Sequence, residues 1–328
     1  MPKVLYLILA HGNPEQLLRL VKALRTGSSR SPILIHYDFH HSRYPFDPEV
    51  FERFENARVL RDPVAVEWGG FSLVEAILHG MERAIAGGPD FDWVSVLSAQ
   101  DYPIQPIDRI ERFLQDTDRD GFLEYFRADD PPEIPSEFGL RWLKKTGIER
   151  YYYQYRPLPS TTPRILKRLF FHLDRLTEWQ PFFRFPIARG EVFYGTRSPR
   201  PPFDRTFQCY AGSSWFTISR ECVLYLLEFA RKNPDLAEYY RRTLHSDESF
   251  FQTVLINSRK FNIVNDNLRF IPWNRASSSH PSILQIQDLD RLLASGKHFA
   301  RKFDLAVDEQ ILDALDRELA SDRIVSEI

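Results

Sequence analysis

The chain has 328 residues, 43% of them hydrophobic and 14% aromatic, and a net charge of −2. That is enough apolar material for one large core or two smaller ones, and too little net charge for a whole-molecule field that would attract nucleic acid. Two cysteines, Cys209 and Cys222, cannot build a disulfide framework, so free thiols in a reducing, cytoplasmic setting are the expectation.

The N-terminal run "KVLYLILA" (3–10) is too short for a membrane span or a signal-peptide core and reads as a buried first strand. "PEQLLRLVKAL" (14–24) places Leu17, Leu20, Val21 and Leu24 on one helical face. Strands follow at "SPILIHYD" (31–38) and "ARVL" (57–60), then a long helix at "SLVEAILHGMERAI" (72–85). "DWVSVLSAQDYP" (92–103) is a fourth strand, "IDRIERFLQD" (107–116) a helix and "GFLEYF" (121–126) a strand. Apolar strands separated by helices predict an α/β fold whose mostly parallel sheet is covered on both faces. Ligands of such sheets sit beyond the carboxyl ends of the strands. Those ends carry His11-Gly12-Asn13, Asp38, the Trp68-Gly69-Gly70 turn and Asp101-Tyr102-Pro103. No glycine-rich phosphate loop follows any strand, which argues against dinucleotide and P-loop binding.

Composition shifts near residue 140. Residues 141–205 hold fourteen Lys/Arg against five Asp/Glu, with Tyr151-Tyr152-Tyr153 and many Phe. The tyrosines suit either an edge strand or a sugar-stacking platform. "RILKRLFFHLDRL" (164–176) is expected as a helix with Ile165, Leu169, Leu173 and Leu176 inside and Arg164, Lys167, Arg168 and Arg175 outside. It reads as a solvated face of an insertion, or as a basic surface toward an acidic glycan or an anionic membrane. Beyond it come a strand at "GSSWFTIS" (212–219), helices at "RECVLYLLEFA" (220–230) and "DESFFQTVLIN" (247–257), and a strand at "LRFIPW" (268–273). A short helix at "DLDRLLAS" (288–295) and a C-terminal helix complete the chain, and "SSSH" (277–280) is expected as a loop.

Two features could carry chemistry. Asp247 and Glu248 sit together at a helix start, where Ser246 is a good N-cap and acids offset the helix dipole. "HFARKFD" (298–304) offers the basic pair Arg301-Lys302 between Phe299 and Phe303. Sugar transfer from a nucleotide diphosphate needs a carboxylate to accept a proton and positive charge for the departing diphosphate. A metal is not expected to supply that charge. The Asp-x-Asp triples Asp90/Asp92, Asp116/Asp118, Asp118/Asp120 and Asp288/Asp290 do not follow strands, and no His/Cys cluster has zinc spacing.

Five ordered stretches resemble one family: "WGGFSLVEA" (68–76), "WVSVLSAQDYPI" (93–104), "GSSWFTIS" (212–219), "DESFFQTVLINS…DNLRFIPWNR" (247–275) and "FARKFD" (299–304). It holds the core-2 and I-branching β-1,6-N-acetylglucosaminyltransferases and the peptide O-xylosyltransferases. "ESFFQTVL", "DNLR", "WNR" and "ARKF" are nearer the xylosyltransferase branch. The resemblance runs from about residue 3 to 316 and is weakest over 140–205.

The resemblance implies a GT-A-type fold and an inverting, metal-independent transfer from a UDP-sugar, with GlcNAc or xylose as the sugar and a saccharide as acceptor. It implies Glu248 as general base, Arg301 and Lys302 as neutralisers of the diphosphate, and Asp38 as a uridine contact. His11 and Trp68 join the donor side. Asp101, Trp273, Arg275, Ser214 and Trp215 fall in blocks on the sugar or acceptor side. On this view residues 1–126 are the nucleotide half of a single domain, 140–205 an acceptor-side insertion and 206–328 the catalytic half. Animal members carry a membrane anchor, a stem and many cysteines; none is found in this sequence, which suits a cytosolic bacterial-type enzyme, touching a membrane at most peripherally through 164–176 and acting on an acceptor that is anionic or lipid-linked. Ser214 stands where xylosyltransferases have an acid, and Ser279 falls near a second phosphate-binding arginine of the branching enzymes. A glycosidase with paired carboxylates and a non-catalytic carbohydrate- or nucleotide-binding module are the competing expectations.

Overall fold

A computed structural model of the chain describes residues 2–27, 30–87, 90–132, 144–159, 161–176, 180–188, 191–273 and 281–326. Strand Val4–Ala10 lies in the interior of a seven-stranded sheet, parallel to Ile33–Tyr37 on one side and to Trp93–Ser98, the middle strand, on the other. Ala57–Val59 closes the first edge in parallel. Beyond Trp93–Ser98, strand Thr217–Ser219 is inserted antiparallel between it and Gly121–Phe122, and Ile263–Val264 forms the far edge. The sheet is mostly parallel, and it knits strands from before residue 126 to strands from after residue 206.

The apolar run of the first strand explains its interior place. Val4, Tyr6 and Ile8 enter one core, and the alternate Leu5, Leu7 and Leu9 enter the other. A strand buried on both faces needs no polar alternation. The helix Pro14–Gly27 covers the first core with Leu17, Leu20, Val21 and Leu24, all fully buried as their spacing predicts. Helices Ser72–Gly87 and Arg220–Lys232 cover the second.

Several elements are shorter than their apolar runs suggest. "GFLEYF" splits into strands Gly121–Phe122 and Phe126–Arg127, "GSSWFTIS" contributes only Thr217–Ser219, and "LRFIPW" only Arg269–Phe270. The last of these belongs to a second sheet, parallel to Phe299–Arg301, which runs antiparallel to Asp101–Pro103. Among the described residues no helix is long and apolar enough to cross a membrane.

The insertion is a small antiparallel sheet in which Glu191–Arg197 pairs with Tyr153–Pro157, Phe183–Arg184 and Ile187–Ala188. Tyr151 ends a helix and Tyr153 lies in the edge strand; both are buried, so neither offers a stacking platform. The helix Arg164–Leu176 forms, but not with the expected face inward: Ile165 is 77% and Leu169 51% exposed. Phe170 stacks on Phe185 at 4.8 Å, and a residue five positions before it lies about 140° round the helix. One aromatic pair therefore turns Ile165 and Leu169 outward.

Candidate active site

The acidic pair does not open a helix. Ser246–Glu248 is a separate 3-10 turn, and the helix begins at Phe250 and runs to Ser258. The interruption has a visible cause: the Glu248 carbonyl accepts the Gly212 N–H at 2.8 Å instead of a bond from the next turn. Gly212 can come that close because it has no side chain; a Cβ there would lie 1.9 Å from the Glu124 carbonyl oxygen. The helix that follows is buried on all sides at its start, so Gln252 and Thr253 find protein partners in the Ser213 and Tyr210 carbonyls. The turn is held from the other side by the Trp68-Gly69-Gly70 loop. His245, left-handed at φ 50°, donates its N–H to the Gly69 carbonyl and meets the Trp68 ring edge-on at 5.1 Å. Trp68, 55% exposed, thus stands beside the acidic turn.

The two acids have separate environments. Asp247 is buried, and its Oδ2 accepts the Ser214 hydroxyl at 2.6 Å. Burial, with the Glu248 charge beside it, raises the Asp247 carboxyl above the ordinary aspartate range. Glu248 keeps 29% of its side chain exposed and forms an ion pair with Arg150, which the insertion supplies. A cavity of about 140 Å³ adjoins this pair, lined by Thr146, Glu149, Arg150, Tyr155, Arg184 and Leu244 among others.

Arg301 lies across from Asp101 in the second sheet, its Nε 3.6 Å from Asp101 Oδ1. Its guanidinium covers the Trp215 ring at 4.3 Å, while Nε and Nη1 have no hydrogen-bond partner among the described residues. Burial lowers the Arg301 pKa, and the Asp101 charge opposes that shift. Lys302 is half-buried and lowered by burial and by Arg301; among the described residues it makes no ion pair. The other half of the Asp101 carboxylate accepts the Ser98 N–H, and its side chain has no exposed surface. So placed, the Asp101 carboxylate lies beside the Arg301 guanidinium as its counter-charge. We expect Asp101→Asn to cost about 3 kcal/mol in urea unfolding, because it strips a buried cation of its counter-charge, and to weaken uridine diphosphate binding with it.

Ser214 and Trp215 are adjacent. One anchors the acidic turn and the other carries the guanidinium, so a single peptide bond couples the two sides.

Other candidates are placed differently. Asp38 is buried at the end of Ile33–Tyr37, where its carboxylate accepts the His40 and Val66 N–H groups and pairs with the His41 ring. Burial would raise its pKa, but the Val66, His41 and His40 bonds together lower it. It organises two loops, and any ligand contact must use its remaining lone pair capacity. His11 is exposed after the first strand, and Trp273 is half-buried beyond Arg269–Phe270. Arg275 and the "SSSH" run lie outside the described residues. No group of three or more His, Cys, Asp or Glu among the described residues could hold a metal ion.

Three neighbours escaped the sequence reading. Arg150 is one of fourteen basic residues in its segment, with no local signal. Arg269, in "DNLR", is fully buried and pushed down to about 10 by burial; it donates to the Ser95 hydroxyl and to the Val96 and Phe216 carbonyls. Glu124, half-buried, has its carboxyl pushed up to about 7 by burial and then by the Asp266 and Glu248 charges. An acid raised in the folded state binds protons more tightly there than when unfolded. Its contribution to stability is therefore lost as pH rises from about 4.5 through about 7. Glu124→Gln should unfold at higher urea than the wild type at pH 8, by at most about 3 kcal/mol, with the difference vanishing in acid.

Residues 4–135 and 186–293 match the family described as Core-2/I-Branching enzyme. The chain belongs to this family. The match includes Asp38, Asp101, Ser214, Trp215, Glu248 and Trp273, and leaves out Arg150, Arg301 and Lys302. Among curated Core-2/I-branching relatives, β-glucuronosyltransferase GlcAT14B of Arabidopsis thaliana is 28% identical over 273 residues, 82% of this chain and 54% of that protein. GlcAT14A of the same plant is 27% identical over 330 residues, 97% of this chain and 64% of its own length. Xylosyltransferase 2 of Mus musculus is 28% identical over 340 residues, again 97% of this chain but 34% of the relative. The chain thus spans between about a third and two thirds of these relatives. Their names bring glucuronic acid beside the GlcNAc or xylose that the resemblance implies.

Proposed function

We propose that the protein is an inverting, metal-independent glycosyltransferase that moves a sugar from a UDP-sugar to a saccharide acceptor. An acceptor hydroxyl attacks the anomeric carbon, the bond from that carbon to the β-phosphate oxygen breaks, and the hydroxyl proton passes to Glu248. The electron pair leaves with uridine diphosphate, whose growing charge Arg301 and Lys302 stabilise in the transition state more than in the ground state. Displacement from the opposite face turns an α-linked donor into a β-linked product. The observation that carries this reading is that Ser214-Trp215 ties the turn bearing Glu248, through Asp247, to Arg301, whose Nε and Nη1 have no hydrogen-bond partner among the described residues. Family membership supports it. GlcNAc, xylose and glucuronic acid are the donor sugars to be tried.

One observation favours a second reading. Glu124, raised to about 7, beside the Glu248 charge resembles the split carboxylates of a glycosidase. That reading gives the Arg301-Lys302 pair no task. Incubation with UDP-GlcNAc, UDP-xylose and UDP-glucuronate, each with a panel of saccharides, separates the two. Acceptor-dependent release of uridine diphosphate supports transfer; free monosaccharide released from a glycan without any nucleotide would establish the glycosidase instead.

A further inference from the structure

The outward face of the insertion is apolar where solvent would be expected to favour charge. Ile165, Leu166 and Leu169 of the helix Arg164–Leu176 are all exposed. The sheet beneath adds more. Ile187 is opposite Val192 in the antiparallel register and so shares its face, as does Tyr194 two residues on; Ile187 is 56% and Tyr194 41% exposed. Phe185, which stacks on Phe170 of the helix, packs against Tyr194 at 5.4 Å, so the helix and the sheet are joined through these rings.

Charge identifies what covers it. The helix carries Arg164, Lys167, Arg168 and Arg175 against Asp174 alone, and residues 141–205 hold fourteen Lys/Arg against five Asp/Glu in a chain whose net charge is −2. A second copy of the chain would bring the same cationic segment against itself. We propose that this face docks on the surface of an anionic lipid bilayer, with Ile165 and Leu169 entering the headgroup boundary and the net positive charge of the segment drawing it to the lipid phosphates. Aliphatic side chains flanked by Lys and Arg on a helix that lies flat are the combination such an interface rewards. The proposal is independent of the glycosyl-transfer reading. If both hold, the segment that supplies Arg150 to Glu248 is also the one at the membrane, and the acceptor side opens toward the bilayer.

Co-sedimentation with vesicles of phosphatidylcholine alone, and of equimolar phosphatidylcholine and phosphatidylglycerol, tests it. Binding to the mixed vesicles only, weakened by added salt, is expected. The double variant Ile165→Asp/Leu169→Asp should lower the partition coefficient by about tenfold or more, since it removes apolar burial and adds two charges of the wrong sign. Both side chains are exposed, so the variant should keep the wild-type unfolding midpoint. No binding to the mixed vesicles, equal binding to both kinds, or undiminished binding by the variant would overturn the proposal. So would a concentration-dependent dimer in light scattering that the same two substitutions abolish.

Discussion

Glu248→Gln is expected to lower sugar transfer by about two orders of magnitude or more and to leave the thermal protection by uridine diphosphate as in the wild type. A positioned general base contributes about that much, and glutamine keeps the shape of the side chain without its ability to take the proton. The substitution also removes the anionic partner of Arg150, which is only partly buried and keeps access to water. The fold should therefore survive, and unfolding curves of the variant serve as the control. Asp247→Asn asks a different question. Asp247 is buried and bonded to Ser214, so its loss should act through the turn's position and raise KM and lower kcat together. Transfer by Glu248→Gln within a few-fold of wild type would remove the base from the scheme.

Neutralising the cationic pair should produce the second largest effect, on binding as well as on rate. Each charge-assisted hydrogen bond to a phosphate oxygen is worth about 1.5–3 kcal/mol, roughly tenfold to a hundredfold in affinity. Lys302→Ala is the cleaner variant, because Lys302 has no ion pair among the described residues whose loss would unsettle the fold. Arg301→Ala would leave Asp101 buried without its counter-charge and uncover the Trp215 ring. Arg301→Lys keeps the charge while losing the planar contact, and separates a loss of binding from a loss of folding. Both variants should weaken protection by uridine diphosphate, and chelator should leave wild-type transfer unchanged. A strict manganese requirement, or wild-type protection in both variants, would assign the diphosphate to other groups.

The sequence made the sheet legible because its first strand is an uninterrupted apolar run and the covering helices repeat at 3.6 residues. It also brought Glu248, Ser214, Trp215, Asp101 and Arg301 forward, through motif blocks whose order is unrelated to their spacing in space. What it did not disclose was how they join. The interruption before Phe250 depends on a hydrogen bond from Gly212, thirty-six residues earlier, and no local propensity reports a bond of that reach. Asp101 reads as a strand-end acid open to ligand until the strand Phe299–Arg301 arrives beside it. The helix Arg164–Leu176 has an apolar stripe that points inward by pattern, yet Phe170 is the ring that stacks on Phe185 of the small sheet and Ile165 and Leu169 are exposed, an outcome that depends on the tertiary partner and not on the helix's own pattern. Arg150 is legible only in three dimensions.

The dipeptide Ser214-Trp215 sets a limit on how such a scaffold can diversify. If Glu248 and the Arg301-Lys302 pair act as proposed, lengthening or deleting even one residue there would slide the two out of step, whatever happened elsewhere. The cationic loop and hairpin region before Arg205 is under no such constraint beyond keeping Arg150 in reach. On the proposed scheme, rebuilding that outer segment would change the acceptor side and leave the groups that break the donor bond in place.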